Sequence, residues 1–118
     1  MDAPTAHITE PALLIRVNRL FQYGISPERM YEITRGNWAL STRRNKAEYA
    51  FTVYKGIIQE VYRIDDWFPA KARDPEQKIQ DRWRFNGEVA RDLQHYVGCS
   101  VKHYFKRGNQ SPVLYINC

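Results

Sequence analysis

The 118 residues carry 18 Lys+Arg against 13 Asp+Glu, a formal charge of +5, and 43% are hydrophobic and 14% aromatic. That length fits one domain, and the aromatic content excludes a chain too polar to fold. No apolar run approaches the ~18 residues of a membrane helix, and Met1-Asp2-Ala3-Pro4-Thr5 has neither the basic nor the apolar part of a secretory signal, so a cytoplasmic domain without membrane contact is expected.

Residues 1–11 hold two prolines and little periodicity, and read as a flexible N-terminal arm ahead of a single domain over 12–118. Ile15 and Val17 alternate with Arg16 and Asn18, which predicts a strand over 13–18. The clearest helix start follows a loop through Tyr23. Ser26 is the cap, Pro27 the first helical residue and Glu28 a favourable charge at the positive end of the dipole. Met30, Ile33 and Thr34 share one side of that helix, and Gly36 stops it.

Residues 48–54 alternate, with Tyr49, Phe51 and Val53 on one face, and Lys55-Gly56 turns them into a second strand over 57–64. So short a connection means an antiparallel hairpin. Asp65-Asp66-Trp67-Phe68-Pro69 ends that strand, and 70–80 is a polar surface loop or short irregular helix. Residues 82–87 alternate again, with Trp83 and Phe85 inward. A short helix is expected over 88–96, with Ser100 capping one more turn through Phe105 and a last strand over 113–117. The order β-α-β-β-β-α-β predicts an α+β fold, with two or three short helices over a small, mixed, mainly antiparallel and barrel-like sheet.

The ligand count argues against metal chemistry. Cys99 and Cys118, with His7, His95 and His103, are too few and too scattered for a zinc site, and no cofactor is expected. Asp65 and Asp66 are neighbours on a strand and point to opposite faces. The chain has no Gly-x-Ser-x-Gly, no phosphate-binding glycine loop and no His-Glu-x-x-His. An enzyme is the weaker reading; in it, Glu48, Glu60 or Asp66 would serve a small carboxylate-dependent nuclease or hydrolase.

Aromatic and basic residues interleave instead. Gly36-Asn37-Trp38 precedes Arg43-Arg44-Asn45-Lys46, and Lys102-His103-Tyr104-Phe105-Lys106-Arg107 precedes a polar turn. Cations suit phosphates, flat rings suit bases and amides suit base edges. Trp83 and Phe85 fit the core, whereas Trp38, after a helix stop and ahead of a basic loop, stands between core and site.

The element order, with Gly36-Asn37-Trp38 after the first helix, 48–54 leading into Gly56, 57–67 as a crossing strand and 82–87 as a later one, resembles the PUA-like superfamily of ASCH, EVE and YTH domains. That resemblance implies a pocket for a modified base of DNA or RNA, walled by Trp38 and by Trp67. The expected function is a module that binds nucleic acid or a nucleotide through an aromatic pocket with a basic rim. Trp38 would stack, Asn37 would bond a base edge, and Arg43, Arg44 and Lys46 would meet phosphates, with Lys102, Lys106 and Arg107 as a second basic edge. The competing expectation is a small protein-interaction or inhibitor module that acts on a nucleic-acid machine, since Tyr, Trp and Arg also suit a protein interface.

Overall fold

The apolar run after Pro11 becomes strand β1 (Ala12–Arg16) in the computed structural model, which describes residues 3–70, 82–106, 108 and 110–118. Helix α1 (Pro27–Arg35) starts where its sequence dictates. The Ser26 hydroxyl accepts from the Arg29 amide at 3.1 Å, and Gly36 follows the last turn. Strand β2 (Trp38–Ala39) is only two residues long, too short for any periodicity to announce it. Strands β3 (Tyr49–Tyr54) and β4 (Ile57–Pro69) form the expected antiparallel hairpin. Its Lys55-Gly56 turn, with φ of 50° and 77°, has the twist a two-residue hairpin needs. Strands β5 (Arg82–Val89) and β6 (Val113–Ile116) complete one sheet in the order β2-β5-β4-β3-β1-β6, in which only β1 and β3 run parallel.

The sheet curls until the residues that follow β2 reach Tyr115 of β6 and Cys118 beyond it. The Ser41 amide donates to the Tyr115 hydroxyl at 3.1 Å. The Arg43 guanidinium lies 4.4 Å above the Tyr115 ring and donates to the Cys118 main-chain oxygen at 2.5 Å. The result is the expected α+β fold, a nearly closed six-stranded barrel with short helices. Alternating strand residues face opposite ways, so the sheet has two apolar layers. Leu13, Ile15, Ala50, Tyr62 and Phe85 fill the inside beneath Ile33 of α1. Leu14, Phe51, Val53 and Val61 form the outer layer, covered by Ala6, Ile8, Leu93, Tyr96 and Val101. Helix α1 is fastened at a fully buried contact, where the Thr34 and Thr52 hydroxyls lie 2.7 Å apart. Thr34 donates on to Met30 O at 2.8 Å, so Thr52 is the donor between the two hydroxyls.

Four expectations need correction or a boundary. The segment before residue 12 is packed over its described part, not a flexible arm. Ala6 and Ile8 are buried, the Ala6 amide donates to Ser100 O at 2.9 Å, and Asn117 Nδ2 donates to the carbonyls of Ile8 and Glu10. Aspartates 65 and 66 do not end β4. A register shift between Ile64 and Asp66 bends the strand, and Asp66 through Pro69 pair onward with β5. No α-helix covers 88–96, because Glu88 and Val89 extend β5 and the Ala90 amide bonds Val61 O at 2.8 Å. Only Arg91–Tyr96 turns, as a 3₁₀ helix with Leu93 out of helical geometry. The loop expected over 70–80 lies outside the described residues except for Ala70, which is buried and bonds Arg82 O at 2.9 Å. Among the described residues no helix is long and apolar enough to cross a membrane.

The packed N-terminal segment carries a pH dependence. Partial burial pushes the Glu10 carboxyl up, but hydrogen bonds, chiefly from the Tyr96 hydroxyl at 2.7 Å, outweigh it and leave the carboxyl below its ordinary value of 4.5. A lowered carboxylate contributes stability that is present above its unfolded value and lost as pH falls through its folded value. Tyr96→Phe should therefore lower the melting temperature at pH 6, and the gap to the wild type should close below pH 4.5. Thermal unfolding of both proteins from pH 6 to pH 3 checks it, and a gap independent of pH would contradict it.

Candidate functional site

Where β1 ends, the chain makes a tight turn. The Val17 amide still pairs with Val53 O at 3.0 Å, while the amides of Leu20 and Phe21 fold back onto Val17 O at 3.2 and 3.0 Å. That turn buries Phe21 and leaves Asn18, Arg19 and Leu20 exposed. Between it, helix α1, β2 and the lead-in to β6 opens a cleft of about 730 Å³. Val17, Leu20, Ile33 and Trp38 are its apolar wall, and Arg16 and Arg19 supply its cations.

Trp38 is the sequence-predicted residue that the fold brings to this cleft. It is partly buried, and its indole Nε1 donates to Thr34 O at 2.7 Å. The ring is thereby fixed and its one polar group satisfied, so it offers a ligand a π surface. Arg16 is held as well, with its guanidinium 4.5 Å above the Phe105 ring and a hydrogen bond to Ser111 O. Arg19 makes no hydrogen bond or ion pair among the described residues, which leaves its charge available.

The other predicted residues have different surroundings. Trp67 packs edge-on against Phe85, with ring centres 5.4 Å apart, and its Nε1 donates to Arg44 O at 3.1 Å, so it belongs to the barrel filling. Asn37 is exposed, and its side-chain oxygen accepts from Arg84 at 3.4 Å. Arg43 is the seam residue described above. Arg44 stacks 3.5 Å over Trp83 and donates to Ser41 O at 2.8 Å, beside a shallower depression of about 520 Å³. Lys46, Lys102 and Lys106 are exposed, and Arg107 lies outside the described residues. None of the described basic residues of 43–46 or 102–106 lines the larger cleft. Phe105, beneath Arg16, connects the 102–106 segment to it.

Arg84 and Arg35 are occupied by Glu32, at 2.9 and 3.0 Å. Partial burial raises the Glu32 carboxyl, and the hydrogen bonds and charges of the two guanidinium groups bring it net below its ordinary value. Of the three candidate acids, Glu48 and Glu60 stand apart. The Glu48 carbonyl accepts from the Ile64 amide at 2.8 Å, which places Glu48 four strand positions from Glu60, about 13 Å along β4. Glu60 meanwhile accepts from the Val61 amide and Gln94 Nε2, both at 2.9 Å. Among the described residues no three His, Cys, Asp or Glu side chains are grouped to hold a metal.

Sequence reasoning missed Arg16, Arg19 and Leu20. Arg16 read as the polar face of a strand and the chain through Gln22-Tyr23-Gly24 as a loop; the available signal was a cation and a leucine just ahead of Phe21 and Tyr23. No protein-family model, no curated protein and no solved structure matches this chain.

Proposed function

We propose that this chain is a PUA-like module that binds nucleic acid, taking one base, modified or unmodified, against Trp38, with Arg16 and Arg19 toward the phosphates. The observation that carries the reading is the Trp38 ring, fixed at the wall of a large cleft with its N–H already bonded and with guanidinium groups on the rim. An apolar slot with a few placed polar groups is the usual form of a small-ligand site. A ring beside cations matches the two surfaces of a nucleotide, and stacking is worth about 1–3 kcal/mol per base. The barrel-like α+β fold agrees with the resemblance noted in the sequence. In this reading the phosphate contacts are Arg16 and Arg19, with Lys102 and Lys106 as a flank, since Arg43 bridges the seam to Tyr115 and Cys118 and Arg44 stacks on Trp83.

Fluorescence anisotropy with labelled octathymidylate and octauridylate tests this. Affinity should fall steeply as salt rises, and Arg19→Ala should weaken binding to all sequences alike and reduce the log–log salt slope by about 1. Trp38→Leu, which keeps an apolar side chain at the wall, should remain folded in urea titration and lose roughly 5- to 100-fold in affinity. Unchanged binding in both variants would contradict the reading.

A further inference from the structure

Beside the Trp38 cleft lies a second depression of about 330 Å³, and the two share Arg19 and Leu20 as lining residues. Tyr23 and Arg29 also line the second depression. Tyr23 is 77% exposed and Leu20 53%, the highest values among the exposed large hydrophobic residues. The Tyr23 ring is nevertheless oriented, because it meets Phe21 and Tyr54 edge-on with centres 5.5 Å apart in each case. A large aromatic ring held in place yet left open to solvent is suited to receive a flat partner.

The charges say what kind of partner. No Asp or Glu lines either depression. Neither Arg19 nor Arg29 has a side-chain hydrogen bond or ion pair among the described residues. We infer that the site takes two consecutive nucleotides of a single strand, one base on Trp38 and the next on Tyr23, with the linking phosphate at Arg19. This rests on the base-binding reading above and extends it from a single base to an oligonucleotide. The placement follows from the lining: a phosphate lies between successive bases, and Arg19 is the cation common to both depressions. Arg29 then faces the phosphate beyond the second base. A protein partner seated on Leu20 and Tyr23 would need acidic groups opposite these arginines, and that is the competing occupant.

The experiment compares uridine 5′-monophosphate with labelled octauridylate and octathymidylate, measured against wild type, Tyr23→Ala, Tyr23→Phe and Trp38→Leu at low salt. Tyr23→Ala should weaken both oligomers by roughly 5- to 100-fold and leave the mononucleotide unchanged, and Tyr23→Phe should restore oligomer binding. Trp38→Leu should weaken all three ligands. If Tyr23→Ala binds the oligomers like wild type while Trp38→Leu does not, the second position is overturned and the first stands. If neither oligomer binds the wild type, both are overturned, and the Leu20–Tyr23 surface passes to a protein contact. Tyr23 is 77% exposed, so the alanine variant should remain folded, with only a modest shift of its unfolding curve from the lost ring contacts with Phe21 and Tyr54.

Discussion

Phe85→Ala is expected to cost about 3–5 kcal/mol of folding stability, the usual range for a buried aromatic truncated in a packed core. Phe85 is fully buried, and the ring centres of Trp67, Tyr31 and Tyr62 stand 5.4, 6.1 and 6.3 Å from its own. Those rings come from β4 and α1, so the lost contacts are ones that hold the helix and the bent half of β4 to β5. The same strand pairs Trp83 with Trp38, and the cleft should loosen along with the core. Urea unfolding gives the stability change. A loss below about 1 kcal/mol, far short of that range, would mean the barrel interior is not packed around this ring.

Gly87→Ala should be comparably severe for a different reason. A Cβ at Gly87 would collide with the main-chain oxygen of Arg63 on the neighbouring strand. Because that atom is backbone, it cannot swing aside as a flexible side chain would. Overpacking of this kind costs about 3 kcal/mol or more when nothing can yield. The Gly87 amide also donates to the Tyr31 hydroxyl at 3.0 Å, so displacement of β5 would disturb the seating of α1. Gly24→Ala is the control. Its φ is +83° with nothing within 4 Å of a new Cβ, so only the left-handed backbone is penalised, by roughly 1 kcal/mol. Equal stability losses for the two variants would contradict the close approach of β4 and β5.

The legible parts of this fold were those written locally. Ser26-Pro27 and Gly36 bracket α1, and the two-residue turn at Lys55-Gly56 leaves the hairpin register little freedom. Packing partners distant in the chain were not legible. Nothing in residues 3–11 signals that Ala6 and Ile8 will cover the outer face of the sheet, since their partners lie around Tyr96, Val101 and Ile116. Strand β2 exists because Trp38 finds Trp83 across the ladder, a contact with no sequence period. Asp65 and Asp66 read as a strand end because charged pairs usually lie outside, whereas a bulged strand on the barrel surface accommodates them exposed.

The site follows the same division. Trp38 stood out because a ring after a helix stop has no periodic reason to be buried. The cations expected to serve it came from the run Arg43-Arg44, which looks available in sequence. In the fold, the Tyr115 and Trp83 rings take up those two side chains. Arg19, a lone arginine in a loop, carries no local signal, and its place on the cleft wall is set only where β1, α1 and the lead-in to β6 meet.

A chemical-shift map of the ¹⁵N-labelled protein titrated with octauridylate locates the bound strand on the surface. With a base on Trp38, the shifts should concentrate on the amides of residues 16–20, the Trp38 indole N–H and Gln110. The Trp83 indole N–H and the amides of residues 41–44 should move little. Shifts centred on Trp83 and residues 41–44, or no shifts at low salt, would contradict that placement.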